Sequence, residues 1–150
     1  MRRSKNEIAD KALIDAIIRE CRVCRLGLSD GKEPYIVPLC FGYDGQVLYF
    51  HSASEGRKID ILRKNNRVCF EFDIPGEMKE SEQGCKWGIR YRSVIGYGTA
   101  ELVDNGEAKR NALEILMAQY SGKKYIFPAE VVAKTAIIKV VITHMTVKHA

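Results

Sequence analysis

The spacing of apolar residues along the chain changes between a helical period of about 3.6 residues and a strand period of two. Over residues 6–20 apolar residues recur at helical spacing, and Asn6 followed by Glu7 is a helix-start signal, which predicts a capped amphipathic helix. Every second residue from Cys24 to Leu28 is apolar, which predicts a strand over about 23–28. We therefore expect an N-terminal helix that covers one mouth or face of a sheet.

Two Asp-Gly pairs separate the next β-rich stretches. Asp30-Gly31 follows the first strand, and Asp44-Gly45 joins a second strand, over about 35–43, to a third over 47–51. Asp-Gly is typical of the tight turns between antiparallel strands, so the pattern predicts a meander. Pro38 lies inside the middle strand and has no N–H to donate. We expect its backbone to lie on a sheet edge or to face something other than a strand, such as a ligand.

The rest of the chain predicts two more helices and three more strands. The helices are expected over residues 56–65 and 107–120, and the strands over 68–73, 87–103 and 135–147. Gly96 and Gly98 predict a bend or bulge in the longest strand. Pro75, Gly76 and several charged residues predict an exposed loop over 74–86. This order of elements favours a small antiparallel barrel over a doubly wound parallel sheet.

Length and composition predict one domain over residues 1–150, with a flexible N-terminus over 1–5. A chain of this size buries about 69% of its unfolded surface, which is enough without a disulfide or a metal. Five cysteines, an odd number, follow no signal peptide, so we expect a cytoplasmic protein with reduced thiols. Cys21 and Cys24 have the spacing of half a redox or zinc site, but a second half is missing from the sequence. They are better explained as core residues, and no metal site is predicted.

The charge of the chain argues against several classes of partner. Its 24 basic and 19 acidic residues give a net charge of +5, and the basic residues are scattered rather than clustered. Nucleic-acid binding is therefore not expected, although it remains a third hypothesis that salt-dependent retention on DNA or RNA tests. Because no apolar run approaches eighteen residues, a membrane span is not expected either. Local positive charge is better explained by the binding of a small anionic ligand.

The segment at 51–58 (HSASEGRK) is the most informative for function. Here a strand ends, small residues follow, and Arg57 and Lys58 fall where a helix begins. Free N–H groups at a helix start, two cationic side chains and the hydroxyls of Ser52 and Ser54 suit a phosphate group. The segment lacks the glycine patterns of the common nucleotide-binding loops, so a solvated helix start stays open as an alternative.

Several short motifs together resemble the pyridoxamine 5′-phosphate oxidase-related flavoproteins, and more narrowly their nitroimidazole-resistance branch. The motifs are 33–39 (EPYIVPL), 43–45 (YDG), 48–53 (LYFHSA), 56–58 (GRK), 66–70 (NRVCF) and 91–101 (YRSVIGYGTAE). The resemblance covers about residues 6–147. It implies an antiparallel six-stranded split β-barrel with flanking helices, which binds FMN at a homodimer interface.

The resemblance also implies roles for particular residues. The flavin ring is expected along the backbone of Val37, Pro38, Leu39 and Cys40. His51 and Ser52 are expected at the ring edge or ribityl chain, and Arg57 and Lys58 at the phosphate. Arg92 and Ser93 are expected to reach across from the partner subunit. Ser93 stands where the oxidases have Gln, and their C-terminal Trp and Arg segment is missing, which argues against pyridoxamine phosphate oxidation itself.

Two classes of function follow from the resemblance. The first is an FMN-dependent oxidoreductase that takes hydride from a nicotinamide or other donor and reduces a small organic acceptor, for example a nitro-aromatic, with His51 as proton donor. The alternative is a non-catalytic flavin-, haem- or deazaflavin-binding protein on the same scaffold, in which His51 is a candidate axial ligand for haem. An absorption spectrum distinguishes flavin from haem.

Overall fold

Eight strands in one antiparallel sheet and four helices form the part of the chain described by the computed structural model, which covers residues 7, 8 and 10–150. The strands are β1 (Glu7–Ile8), β2 (Cys24–Ser29), β3 (Pro34–Leu39), β4 (Gly42–Tyr43), β5 (Val47–Ser52), β6 (Arg67–Lys79), β7 (Gly88–Val103) and β8 (Ala136–His149). The helices are α1 (Lys11–Glu20), α2 (Arg57–Lys64), α3 (Gly106–Ala118) and α4 (Ala129–Lys134). A short 3₁₀ turn lies at Gly84–Lys86.

The sheet is a split barrel. Its strand order is β3-β2-β6-β7-β8-β5-β4, with β1 paired to β8 outside this path. Only Cys40 and Phe41 separate β3 from β4 in the chain, so the sheet must curl until its two ends are close. No ladder joins β3 to β4 or β5 within the described residues, and we call this gap the split. The predicted six-stranded split barrel is confirmed in its six long strands, to which the structure adds two strands of two residues each.

The core fills the inside of the curled sheet and is covered by α1. Its largest fully buried side chains are aromatic residues of the strands and isoleucines of the helix, among them Phe50, Phe70, Phe72, Ile17 and Ile18. Cys21 and Cys24 are buried, free thiols, as the sequence predicts. Burial raises the pKa of the Cys21 thiol to about 11 and raises that of Cys24 further, so neither is a reactive thiolate.

The N-terminal helix is shorter than the predicted 6–20. It begins at Lys11, and the carboxylate of Asp10 caps it by accepting a hydrogen bond from the Leu13 N–H at 3.1 Å. Glu7 and Ile8 instead pair with the end of β8 as a strand. The predicted cap Asn6 and the predicted flexible segment 1–5 lie outside the described residues.

The predicted strand over 35–43 is two strands. β3 ends at Leu39, and the Phe41 N–H donates to the Tyr120 hydroxyl oxygen at 3.0 Å instead of to a neighbouring strand. β4 then begins at Gly42, where an added Cβ would lie 2.6 Å from the backbone N of Leu116 in α3. The strand is therefore interrupted because α3 packs directly on its backbone.

The predicted loop over 74–86 is wrong for its first half. β6 continues to Lys79 by pairing with β7, and a bulge between Pro75 and Met78 accommodates the proline and glycine that suggested a loop. The register also shifts where Tyr97 and Gly98 meet β8, but the extra residue, Thr143, lies in β8 and not in the predicted strand. The close approach of another backbone is confirmed, because an added Cβ at Gly98 would lie 2.6 Å from the Val141 carbonyl oxygen. The sequence did not indicate α4, because its six residues are too few to show a helical period. None of the helices in the described residues is long and apolar enough to cross a membrane.

Candidate functional site

The two strands that carry the predicted ring-binding residues form the two edges of the split. β3 is joined to β2 alone in the described residues, with Pro38 opposite Arg25. On the other edge, His51 and Ser52 pair with Ile137 and Ala136 of β8, and β4 reaches only as far as Tyr49. Each edge therefore has backbone groups without a strand partner, and the expected place of Pro38 on a sheet edge is confirmed.

The side chains of β3 alternate between the core and solvent. Val37 and Leu39 are half-buried and pack against the core, whereas Pro38 and Cys40 are exposed. The core contacts fix the strand, so the edge backbone at Val37, Pro38, Leu39 and Cys40 is held rigidly beside the split. A rigid row of backbone N–H and C=O groups can bind the polar edge of a planar ring.

An open helix start follows the other edge. β5 leads through residues 53–56 into α2, and Gly56 at the N-cap has a φ of +125°, a conformation that a side chain would strain. No side chain of residues 7, 8 or 10–150 caps this helix, so the N–H groups of its first turn remain available. Lys58 in that turn is half-buried and makes no ion pair among the described residues, and burial lowers the pKa of its ammonium group. This arrangement suits an anion.

Arg57 connects the helix start to the beginning of β3. Its Nη2 lies 2.7 Å from Oε2 of Glu33, and its guanidinium stacks 4.7 Å from the centroid of the Tyr35 ring. These contacts bring the residues expected to bind a phosphate beside the start of β3, the strand expected to bind the ring. Both groups of residues can therefore belong to one site. They also mean that Arg57 already has a carboxylate partner, whereas no residue that the structure describes pairs with Lys58.

His51 lies at the end of β5 and is exposed. Its neighbours Leu48 and Phe50 are buried, so the alternation of the strand turns His51 away from the core. The imidazole is therefore open to solvent at the end of β5.

Arg92 and Ser93 lie far from His51 along the sheet within one chain. They pair with the end of β8 at His149 and Lys148, whereas His51 pairs with Ile137, twelve residues earlier on that strand. Twelve residues span up to roughly 40 Å along a strand. Ser93 faces outward on the sheet, whereas Arg92 faces the other way, with its Nη2 3.0 Å from Oε1 of Glu20 in α1. The register therefore places neither residue beside His51 within one chain.

The sequence did not indicate the contribution of the end of α3. The Tyr120 hydroxyl accepts the Phe41 N–H and donates to the Arg22 carbonyl at 2.7 Å. The two N–H bonds of the Gln119 amide are shared among three carbonyl oxygens at the end of α1, which lie 3.0–3.3 Å from Nε2. Burial raises the pKa of Tyr120 to about 12, so the phenol stays protonated and keeps donating. These bonds hold in place the connection between β3 and β4, which borders the split. They join residues about 80 to 100 positions apart, and no local pattern signals such a contact.

Comparison with known proteins places this geometry in a family. The sequence pattern described as pyridoxamine 5′-phosphate oxidase matches residues 10–149. A crystal structure from Bacteroides thetaiotaomicron, provisionally described as a 5-nitroimidazole antibiotic resistance protein, is 35% identical, with a TM-score of 0.86, 95% of this chain covered and 86% of that one. No match was found among curated proteins.

Two other solved structures share the fold at lower identity. The flavocytochrome Anf3 from Azotobacter vinelandii is 19% identical with a TM-score of 0.89, covering all of this chain and 72% of that one. The FAD and haem binding protein from Mycobacterium smegmatis is 17% identical with a TM-score of 0.87, covering 97% of this chain and 73% of that one. The family pattern spans nearly the whole chain, and the Bacteroides relative is similar over almost the same length. The chain belongs to the pyridoxamine 5′-phosphate oxidase family.

Proposed function

We propose that the chain binds FMN along the split and uses it to reduce a small organic acceptor. The observation that carries the proposal is Lys58 at the open start of α2, a half-buried ammonium group for which the described part of the chain offers no carboxylate partner. Folding removes part of its hydration without supplying an anion, which is costly unless a ligand provides one. The unpaired edge of β3 begins beside this helix start, so a phosphate-bearing planar ring fits the donor groups of both.

The residues named from the sequence divide into three groups around such a ligand. Lys58, Arg57 and the first-turn N–H groups would hold the phosphate, and Ser52 would hydrogen-bond the ribityl chain. The backbone edge of β3 from Val37 to Cys40 would bind the polar side of the ring. The flavocytochrome and the FAD and haem binding protein are described by their names as carrying flavins, which supports a flavin over other phosphorylated rings.

A bound flavin would supply hydride transfer, and the chain would supply position and protons. His51 is exposed at the edge of the split, where it can deliver a proton to the reduced acceptor. We propose a nicotinamide as hydride donor and a nitro-aromatic as acceptor, since the Bacteroides relative is associated with 5-nitroimidazole resistance. A His51→Ala protein should keep its flavin and lose turnover, and full turnover in that variant would exclude the role.

We further propose that the protein is a homodimer with the ring at the interface. The split is open, so one chain leaves one side of the ring exposed to water. Ser93 faces outward from the sheet and is available to a partner's site. Arg92 would have to exchange Glu20 for the ligand, so Ser93 is the better candidate for contact across the interface.

We also propose a cytoplasmic protein. Cys40 and Cys85 are exposed and free, and a reducing compartment keeps such thiols unpaired.

The absorption spectrum of the purified protein tests the proposal. Flavin bands that disappear on addition of NADH or NADPH, and return when a nitroimidazole is added, are the expected result. A Soret band without flavin bands would favour the haem-binding alternative. A colourless protein that takes up no added FMN would exclude both.

A further inference from the structure

We infer that a cavity between α3 and the segment that follows it, residues 119–128, is a second ligand site, which binds a small apolar carboxylate such as a fatty acid. The cavity has a volume of about 740 Å³, which is within the range of small-molecule sites in proteins. The lining that the structure describes lies within residues 114–127, so it shares no residue with the proposed flavin site. The inference therefore goes beyond the proposed function and does not depend on it.

Helix α3 has two faces with different surroundings. Its buried side chains, Ala112, Leu113 and Leu116, face the sheet. The outer side of the helix and of the turn that continues it lines the cavity, with Glu114, Met117, Ala118 and Ser121. The outer side of a surface helix is ordinarily polar, whereas here Met117 is apolar and half-buried. The outer face of α3 is therefore partly covered by another part of the chain.

The segment after α3 supplies that cover by folding back along the helix. Phe127 packs against the buried cluster that contains Leu113, so the chain returns from the end of α3 towards its middle. At the start of the segment, the Ser121 Oγ lies 2.9 Å from the Tyr125 hydroxyl and accepts the Lys123 N–H at 3.2 Å. Contacts at both ends hold the segment in place. The cavity is therefore formed before a ligand arrives, as most small-molecule sites are.

Apolar side chains border the cavity and remain in contact with water. Ile126 is 97% exposed and Tyr125 is 44% exposed, and both belong to the lining. Met117 and Phe127 add half-buried apolar surface to it. A ligand with an apolar body would remove part of this surface from water, and that removal favours binding.

The two ends of the cavity differ in charge. Lys123 and Lys124 lie just after the end of α3, and none of the ion pairs within the described residues includes them. Glu114, the acidic residue of the described lining, is seven residues before Ser121, or roughly 10 Å away along the helix axis. A carboxylate is therefore favoured at the lysine end and disfavoured at the other. The apolar body of the ligand would extend from the lysines along α3 past Met117.

The dye anilinonaphthalene sulfonate tests the site, because it combines apolar rings with an anionic group and fluoresces when it leaves water. The full chain should bind the dye with a rise in emission. Decanoate should displace it, and decanol, which lacks the charge, should need a roughly 5-fold higher concentration. Excess FMN should leave the dye bound. An unchanged emission, displacement by FMN, or equal displacement by decanol and decanoate would each overturn the inference.

Two pairs of exposed residues locate the bound dye. Lys124→Gln should weaken dye binding about 3-fold by removing one exposed charge, whereas Lys134→Gln in α4 should have no effect. Ile126→Ser should weaken binding roughly 10-fold, whereas Val131→Ser, at a 52% exposed residue of α4, should not.

Equal dye affinities within both pairs of variants would also overturn the inference, because the dye would then bind elsewhere. A chain that takes up no FMN would contradict the proposed function alone, since the dye titration decides the second site independently. The Lys58→Met protein, with its flavin site weakened, should likewise bind the dye as the wild type does.

Discussion

Replacing Lys58 with Met separates its two effects, a cost to folding and a gain in anion binding. Burial lowers the pKa of this ammonium, so folding disfavours its charge, and no carboxylate among the described residues compensates for that. Met keeps the aliphatic stem and removes the charge. We therefore expect the melting temperature of the apo protein to stay the same or rise, even as the affinity for FMN falls.

The size of the loss in affinity follows from the bond that is removed. A charge-assisted hydrogen bond contributes about 1.5–3 kcal/mol, so the Kd for FMN should rise roughly 10- to 150-fold. Arg57→Met should have a smaller effect, because Arg57 gives up its bond to Glu33 when it binds a phosphate. The assay is titration of FMN fluorescence in the apo protein.

Lys64→Met is the matched control for this titration. Lys64 lies at the other end of the same helix, roughly 9 Å from Lys58 along the helix axis. Its replacement by Met removes the same charge from the chain as Lys58→Met does. The affinity of the Lys64→Met protein for FMN should equal that of the wild type. Equal affinities for the Lys58→Met and Lys64→Met proteins would refute the reasoning, because binding would then depend on net charge alone or not on this helix start.

Three further predictions concern the groups that hold the site in place. Gly42→Ala should destabilise the fold by about 1–3 kcal/mol in denaturant titration, because its Cβ would meet the α3 backbone at 2.6 Å, whereas Gly84→Ala, with no atom within 4 Å, should stay within about 0.5 kcal/mol. Equal stabilities would exclude that close packing. Tyr120→Phe should cost about 1–3 kcal/mol by leaving the Phe41 N–H without its acceptor, and retained stability would exclude that bond as a support of the split. Burial and the neighbouring Asp73 raise the pKa of Glu71 above its ordinary 4.5, so its contribution to stability is present below that value and is lost as pH rises through the folded pKa. The stability of Glu71→Gln relative to the wild type should therefore increase between about pH 4 and about pH 7, and a constant or falling difference would contradict this pKa direction.

The turns and the helix start were predictable from sequence because their signals are local. Asp-Gly pairs mark the two tight turns, and the segment from His51 to Lys58 marks the end of a strand followed by the start of a helix. Tyr120 was predicted only as part of a helical stripe, because its partner Phe41 lies 79 residues away.

The continuation of β6 to Lys79 was missed for a different reason. Pro75 and Gly76 are local signals for a loop, but pairing with β7 outweighs them, and one bulge absorbs the misfit. The places of Arg92 and Ser93 in a site could be inferred only from the family resemblance. Within one chain the register sets both far from His51, and Arg92 already pairs with Glu20.

Release of the bound cofactor, followed by mass spectrometry, tests the central claim most directly. Protein purified without added flavin is denatured, and the supernatant is analysed for its mass and quantified against the chain. We predict the mass of FMN at about one molecule per chain, and a reduced yield from the Lys58→Met protein beside a full yield from Lys64→Met. A supernatant that holds haem or no cofactor at all, from protein that also fails to take up FMN, would contradict the account.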